Sequence, residues 1–207
     1  MLCALLLALR LAATPVAAPV SPAPAAVNAT VAGEDGVVIP VAGGYLKIEV
    51  VAADVIRVAF ASDTTFFSRR SLAAAHRVRQ RAPWSTAQVG DETRINTGRL
   101  SVRVSRKTGV VAFYDRGGQR IPAEAPAGRQ LTPAQVLGER TYHVRQVWQA
   151  NPGESLYGLG QRQEGLTDLA GYDLDLWQRN TSEVVPVLVS SLTYSGEEVR
   201  VRAQWSR

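Results

Sequence analysis

Four consecutive residues, Trp177, Gln178, Arg179 and Asn180, combine side chains that suit the recognition of a sugar. An aromatic face packs against the C–H side of a pyranose ring, and planar amide and guanidinium groups make directed hydrogen bonds to its hydroxyls. These residues close a glycine-rich stretch that begins at Glu154. Their types therefore predict a sugar-facing edge.

Two other interpretations of this stretch stay open. Gly158, Gly160 and Gly165 give the spacing G-x-G-x4-G, which is not the dinucleotide fingerprint, and no Gly-Lys-Ser/Thr follows, so a phosphate-binding loop is disfavoured. The second interpretation is structural, with the glycines allowing turns and close backbone approach. The apolar residues of the stretch would then belong to the core: Tyr157, Leu159, Leu174 and Trp177.

Composition excludes several classes of site. The 207 residues carry a formal charge of +5, but the arginines are scattered, and the densest group, at 69–81, is typical of a solvated face. We therefore expect no nucleic-acid partner. Cys3 is the only cysteine, and His76 and His143 lie far apart. The sequence thus predicts no disulfide, no metal site and no cofactor.

The first residues resemble an export signal. An apolar run, Leu2–Leu9, is followed by small residues with cleavage contexts at 16–18 and 23–25, and a Pro- and Ala-rich linker continues to residue 26. We interpret 1–26 as signal peptide and linker, and expect an exported protein. No basic residue precedes the run, so a mis-assigned start codon is the alternative. The run is too short for a membrane span.

Apolar and polar residues alternate in several short stretches separated by turns. This period of two is typical of half-buried strands, and the turn at 107–109 indicates a hairpin. A run around Pro186 suits an edge strand. Without any long helical pattern, the chain is predicted to be an all-β antiparallel sandwich. The predicted strands are 45–50, 55–60, 100–104, 110–114, 142–148 and 184–190.

Several motifs follow one another in order along the second half of the chain. They are Tyr142–Val147, Asn151–Leu156, Tyr157-Gly158-Leu159-Gly160-Gln161, Gln163, Gly165, Gly171, Leu176-Trp177-Gln178, Asn180-Thr181, Val185-Pro186 and Ser190-Ser191. In this order they resemble the N-terminal domain of glycoside hydrolase family 31, which includes α-glucosidases and α-xylosidases. Ile56-Arg57-Val58 and Thr97–Leu100 add to the resemblance.

The resemblance implies a galactose-mutarotase-like β-sandwich over residues 33–191, packed in the family on a catalytic (β/α)8 barrel. It also implies that a loop after Tyr157–Gly160 reaches the substrate, with Asn180 at the contacting position, where some relatives carry Asp. An amide donates and accepts hydrogen bonds whereas a carboxylate only accepts, so this exchange alters the preference for hydroxyls. The alternative role of Asn180 is to cap the loop.

The catalytic residues of the family have no counterpart in these 207 residues. The family's retaining hydrolysis uses two aspartates of the barrel, which we expect to be absent here, so no catalytic residue is carried over and the chain alone is expected to be inactive. Retention needs two carboxyls about 5–5.5 Å apart. Asp173 and Asp175 alternate and would share one face if this segment formed a strand, but we interpret them, like the neighbouring carboxylates, as turn and surface residues. Those neighbours are Glu154, Glu164 and Asp168.

The last residues, 192–207, depart from the family pattern. Our hypothesis is that this tail is out of frame; the alternative is a genuine divergent terminus.

The functional hypothesis is therefore the substrate-contacting N-terminal domain of an exported α-glycosidase, with carbohydrate and the catalytic barrel as its partners. The first alternative is a free-standing carbohydrate-binding module. The second is a mutarotase-like epimerase, which needs a histidine such as His143 beside a carboxylate for proton transfer.

Overall fold

The computed structural model describes residues 30–69, 82–161, 163, 165–172, 174, 176, 180–194 and 197–202, with side chains to Ser191. The segment interpreted as signal peptide and linker, 1–26, and most of the arginine group lie outside these residues. Strands dominate the described part, and a 3-10 turn at Thr64–Ser68 is its only helical element. No helix in that part is long and apolar enough to cross a membrane.

The first sheet has four antiparallel strands in chain order. They are β1 (Val31–Ala32), β2 (Gly36–Val41), β3 (Gly44–Ala52) and β4 (Val55–Ala61). Leu46, Ile48 and Val50 of β3 point into the core, as the period of two predicted. The strands predicted at 45–50 and 55–60 are thus confirmed. β3 and β4 pair from Tyr45↔Ala61 to Ala52↔Val55.

The second sheet has six strands in the order β10-β9-β8-β7-β6-β5, all antiparallel. They are β5 (Ser85–Val89), β6 (Glu92–Asn96), β7 (Leu100–Ser105), β8 (Val111–Asp115), β9 (Arg120–Val136) and β10 (Glu139–Trp148). The hairpin predicted around 107–109 is confirmed as β7 and β8, with Gly109 at a φ of 70°. The strand predicted at 142–148 is confirmed as part of β10.

The core lies between these two sheets. Nine buried aliphatic residues form one cluster, and β2 and β3 on one side and β6, β7 and β8 on the other contribute them. Full burial of such a side chain stabilises a fold by about 1.5–3 kcal/mol. Two sheets joined by one apolar cluster form a β-sandwich, as predicted. The cluster is Val37, Ile39, Leu46, Ile48, Val50, Ile95, Val102, Val104 and Val111.

A third, smaller sheet holds β11 (Leu156–Gly158), β12 (Val187–Tyr194) and β13 (Glu197–Arg202) in that order. The run predicted as an edge strand is therefore central, and that prediction is wrong. Pro186 precedes the first residue of β12, so its missing N–H does not interrupt the ladder on either side. β13 falls within 192–207 and pairs with β12 from Val187↔Arg202 to Val189↔Arg200.

The longest strand, β9, was not anticipated, because Pro122, Pro126 and Pro133 lie within it. A wide bulge divides it: the partner of Trp148 is Glu124, but the partner of Gln146 is Arg129. A bulge bends its strand and changes the direction of the residues after it. Beyond this bulge, residues 129–136 pair only with 139–146 of β10, and we call this two-stranded extension the arm.

A buried hydroxyl inside the sandwich gives a first prediction. Thr93 on β6 is fully buried, and its side-chain oxygen has no hydrogen-bond partner among the described residues. A buried unsatisfied polar group costs about 1–3 kcal/mol. Thr93→Val, which keeps the shape, is expected to stabilise the protein by about 1 kcal/mol, measured by urea unfolding.

Thr97 provides the matched control. Its hydroxyl donates to the Ala53 carbonyl and accepts the N–H of Leu100 at 3.0 Å. Thr97→Val should therefore lower the free energy of unfolding, by about 2 kcal/mol. If both variants shift stability in the same direction, the assignment of Thr93 as unsatisfied is incorrect.

Candidate functional site

The segment after β11 lies unusually close to residues 183–187. Gly158 and Gly160 have φ of 103° and 101°, and an added Cβ would lie 2.4 Å from the Val187 oxygen and 1.8 Å from the Glu183 oxygen. Only glycine permits this approach. The structural interpretation of these two glycines is confirmed.

Backbone hydrogen bonds use the N–H groups of this segment. The Leu159 N–H donates to the Val187 oxygen at 2.8 Å, and Gln161 and Glu183 exchange two bonds of 2.9 and 3.0 Å. A phosphate cradle needs such N–H groups to point at a ligand. These are occupied, which argues against a phosphate-binding loop, and the Gln161–Glu183 bridge instead closes the base of a loop. We call residues 161–183 the site loop.

The turn before β11 is held by a carboxylate. The Glu154 side chain accepts the Asn151 backbone N–H at 3.1 Å and its side-chain amide at 3.0 Å. Glu154 therefore has a structural role in the turn, as the sequence indicated.

Asp168 ties the site loop back to the sheet. Its Oδ1 accepts the N–H groups of Leu156 at 2.9 Å and Ala170 at 3.0 Å. The next residue, Leu169, is buried, and its N–H donates to the Leu156 oxygen at 2.7 Å. An Asp can form an Asx turn, in which its side chain bonds the backbone two residues on, and this was the available sequence signal for the anchor.

The charge of Asp168 gives a second prediction. The Ala170 N–H first, then the Ser155 hydroxyl and the Leu156 N–H, lower the pKa of Asp168 below its usual 3.8. A carboxyl with a depressed folded-state pKa stabilises the fold above its unfolded pKa, and this contribution is lost as the pH falls through the folded pKa. Asp168→Asn should therefore be less stable than the wild type near neutral pH, and the difference should disappear in acid.

Urea midpoints of both proteins between about pH 7 and pH 2 measure this difference. The pKa of Asp63 is also lowered, by the Thr65 N–H. Because Asp63 is present in both proteins, its contribution cancels in the difference between them. A difference that stays constant below pH 3.8 would show that Asp168 contributes through shape and not through its charge.

Asn180 lies in the turn Asn180–Thr181, immediately before the Ser182–Glu183 segment that closes the site loop. It is exposed, and the substrate-contacting role and the loop-cap role of its side chain both stay predictions. The predicted neighbours Trp177, Gln178 and Arg179 lie outside the described residues, so their sugar-facing role stays a prediction.

The remaining candidates do not form a second reactive site among the described residues. His143 lies exposed on β10 and is paired with Thr132 across the arm. The epimerase alternative requires a carboxylate beside this histidine, and the residue directly opposite it is not one. No group of three or more metal-ligating side chains occurs in the part of the chain that the structure describes. Glu164, Asp173 and Asp175 lie outside it.

The sequence that forms these elements matches a known protein family. The model of the glycosyl hydrolase 31 N-terminal galactose mutarotase-like domain matches residues 45–187. The chain belongs to glycosyl hydrolase family 31. The matched range contains the whole site loop and seven of the nine core residues, all but Val37 and Ile39, so the galactose-mutarotase-like fold predicted for this family 31 domain is confirmed.

Three relatives place the family 31 domain within longer proteins. A family 31 α-xylosidase from Xanthomonas citri is 32% identical with a TM-score of 0.72, covering 77% of this chain and 18% of that one. An uncharacterized family 31 glucosidase of Pseudescherichia vulneris is 42% identical over 67 residues, 32% of this chain and 12% of that protein. An α-xylosidase from a soil metagenome, 23% identical with a TM-score of 0.65, shares the fold over 79% of this chain and 26% of its own. The chain thus spans less than a third of the length of each relative.

Proposed function

We propose that this family 31 domain belongs to an α-glycosidase that hydrolyses α-linked glucosides or xylosides, and that its site loop contributes to the substrate site. The family match over residues 45–187 supports the class of enzyme. The observation that carries the local proposal is the closed base of the loop, where two backbone bonds join Gln161 and Glu183. A loop fixed at its base presents Asn180 to solvent in a defined place.

In this proposal the domain binds and orients the sugar but moves no proton. The Asn180 amide donates one hydrogen bond and accepts another from adjacent hydroxyls. The Trp177 ring packs on the C–H face, and Gln178 and Arg179 add donors around it. The two carboxylates that retaining hydrolysis requires belong to the catalytic barrel of the intact enzyme.

The class of sugar rests on the relatives. One is named an α-xylosidase and another a glucosidase, and these sugars differ by a hydroxymethyl group. The proposal therefore covers both gluco- and xylo-configured substrates.

The test is a titration of the purified chain with two α-linked disaccharides, one glucosyl and one xylosyl. Binding is measured from the changes in the NMR spectrum of the protein. Asn180→Ala should weaken binding roughly tenfold, because a hydrogen bond whose partner is left unsatisfied costs about 1–3 kcal/mol. Asn96→Ala, which removes an exposed amide from β6, is the matched control. Equal affinity of the two variants, or turnover of an aryl α-xyloside by the chain alone, would contradict the assigned role.

A free-standing carbohydrate-binding module is the second candidate. It is favoured by the apolar core of nine buried residues that the two larger sheets build together. The same titration separates the candidates. A module that acts alone should bind oligosaccharides at micromolar concentrations, whereas a part of a larger site should bind only at millimolar ones.

We also propose that the protein is exported, on the strength of the apolar run Leu2–Leu9 and the small residues behind it. Expression in a Gram-negative host with the natural N-terminus tests this. The mature protein is expected to begin after Ala18 or Ala25 and to appear in the periplasm. A product that keeps Met1 in the cytoplasm would contradict export.

A further inference from the structure

The outer face of the second sheet carries an arginine stacked on a tyrosine. Val102 and Val104 of β7 are buried in the core, and successive side chains of a strand point to opposite faces, so Arg103 between them points away from the core. Its guanidinium carbon lies 3.8 Å from the centre of the Tyr114 ring on β8. The guanidinium is therefore held in a defined position by an aromatic face.

A neighbouring arginine shows which kind of partner Arg103 lacks. Arg94 of β6 is directly opposite Arg103, and its Nε and Nη2 atoms both lie 2.9 Å from Glu92 Oε2. Arg103 has no such ion pair within the part of the chain that the structure describes, and its buried Nε has no hydrogen-bond partner there. Along β6, β7 and β8, Glu92 is the one carboxylate at an outward-pointing position, and Arg94 already occupies it.

Positive charge therefore exceeds negative charge around the Tyr114 ring. Arg120 of β9 is paired with Tyr114, which places both on the same face, and its Nη1 donates to the neutral Gln149 side-chain oxygen at 2.6 Å. Directly paired residues have Cβ atoms about 5 Å apart, and diagonal neighbours such as Arg103 and Tyr114 about 7–8 Å. Two guanidinium groups thus lie beside one ring, and a negatively charged ligand is their complement.

The geometry of Arg103 selects a planar anion. Because its Nε is buried, a ligand reaches the side chain at the two terminal nitrogens. Their parallel N–H groups match the two oxygens of a carboxylate, and the planar fork loses less conformational freedom on binding than a flexible ammonium group. Stacking on the Tyr114 ring restricts that freedom in advance.

The residues around Arg103 favour a hydroxylated ligand. Ser101 and Ser105 are its neighbours on the same face of β7, and Ala112 lies directly opposite it on β8. Serine hydroxyls both donate to and accept from the hydroxyls of a sugar. Interfaces with other proteins are instead centred on large, fully desolvated anchors, and these small side chains offer none.

We propose that Arg103 is the centre of a second saccharide site, which binds the carboxylate of a uronic acid while Ser101 bonds a ring hydroxyl. This site goes beyond the proposed function, because the glucosides and xylosides of that function are neutral. It is built by β7, β8 and β9 and contains no residue of the site loop. It therefore serves to attach the protein to an acidic polysaccharide and not to cleave a bond.

The test is a titration of the purified chain with methyl α-glucuronide and with methyl α-glucoside, which has a hydroxymethyl group in place of the carboxylate. Binding is measured from the amide NMR signals of β7 and β8. At this site the glucuronide should bind at least about tenfold more tightly, the usual effect of hydrogen bonds to a charged group. Arg103→Gln should abolish this preference. Arg145→Gln, which removes an exposed arginine from β10, should change the affinity by less than about twofold, and an equal loss in both variants would mean a response to net charge and overturn the site.

Glu92→Gln gives a result that a folding defect cannot imitate, because a gain of affinity is expected. The variant releases Arg94 from its carboxylate directly beside Arg103, so a second guanidinium becomes available to the ligand. The affinity for the glucuronide should rise about threefold, in line with the modest strength of a partly exposed ion pair. An unchanged or lower affinity in a variant with the wild-type urea midpoint contradicts the placement of the site.

Two further probes decide which carboxylate the site takes. Acetate, which lacks ring hydroxyls, and a short polyglutamate peptide should both bind more weakly than the glucuronide. Acetate of equal affinity would show that the sugar ring makes no contact with Ser101. A peptide of higher affinity would show that the occupant is an acidic protein segment. Either result overturns the proposal.

Discussion

Gly160→Ala is expected to open the base of the site loop and to destabilise the protein by about 3–4 kcal/mol. The new Cβ would lie 1.8 Å from the Glu183 oxygen and 2.8 Å from its carbonyl carbon, so the two segments must separate. Positive φ adds about 1–2 kcal/mol for a residue with a side chain, and each of the two Gln161–Glu183 hydrogen bonds contributes about 1 kcal/mol. Urea unfolding measures the total, and amide exchange at Gln161 and Glu183 locates it.

Gly165→Ala separates the two causes. Gly165 also has a positive φ, of 70°, but an added Cβ would meet nothing within 4 Å. It should therefore cost only the conformational part, about 1 kcal/mol. Sugar binding should fall with Gly160→Ala and persist with Gly165→Ala. If the two variants lose equal stability, close approach is not the reason for glycine at position 160.

The sandwich was predictable because its strands follow simple patterns. Leu46, Ile48 and Val50 alternate with polar residues, and burial on one face of a strand imposes that alternation. β9 was not predicted because it contains prolines. A strand tolerates proline beside a bulge or near the edge of a sheet, and both features depend on tertiary structure. The central position of β12 escaped for a similar reason: nothing local shows that β13 pairs with it.

The chemical type of the site could be predicted from the sequence, but the contacts that build it could not. The glycines of the Tyr157–Gly160 motif were expected to shape the backbone, but the partners they approach, Val187 and Glu183, lie more than twenty residues away and only the fold identifies them. Asp168 was grouped with the surface carboxylates, whereas it anchors the loop by bonds to Leu156 and Ala170. Sequence gives the chemistry of a side chain, and long-range pairing decides whether that chemistry is used for structure or left for a ligand.

Glu124→Gln is expected to destabilise the protein by about 3–5 kcal/mol, the usual cost of breaking a buried ion pair from one side. The side chains of Glu124 and Arg129 are only 5% and 14% exposed. The variant leaves the Arg129 guanidinium buried without its carboxylate, although the new amide oxygen can still accept the Val111 N–H, which donates to Glu124 at 3.0 Å. Urea unfolding gives the loss. Asp54→Asn, at an exposed pair with Arg99 that is about half accessible on both sides, should change stability by less than about 1 kcal/mol.

The double variant Glu124→Gln/Arg129→Met shows why the pair is present. Removing both charges eliminates the uncompensated one, and methionine can still pack on the Phe60 ring that the guanidinium now covers. Its loss of stability should be smaller than that of Glu124→Gln, because paired buried charges replaced by apolar groups are often close to neutral. The bonds that Arg129 makes to Glu124 and to the Gly109 oxygen are lost in the double variant, so we expect its recovery of stability to be partial. Additive losses of stability would instead show that the two side chains act independently.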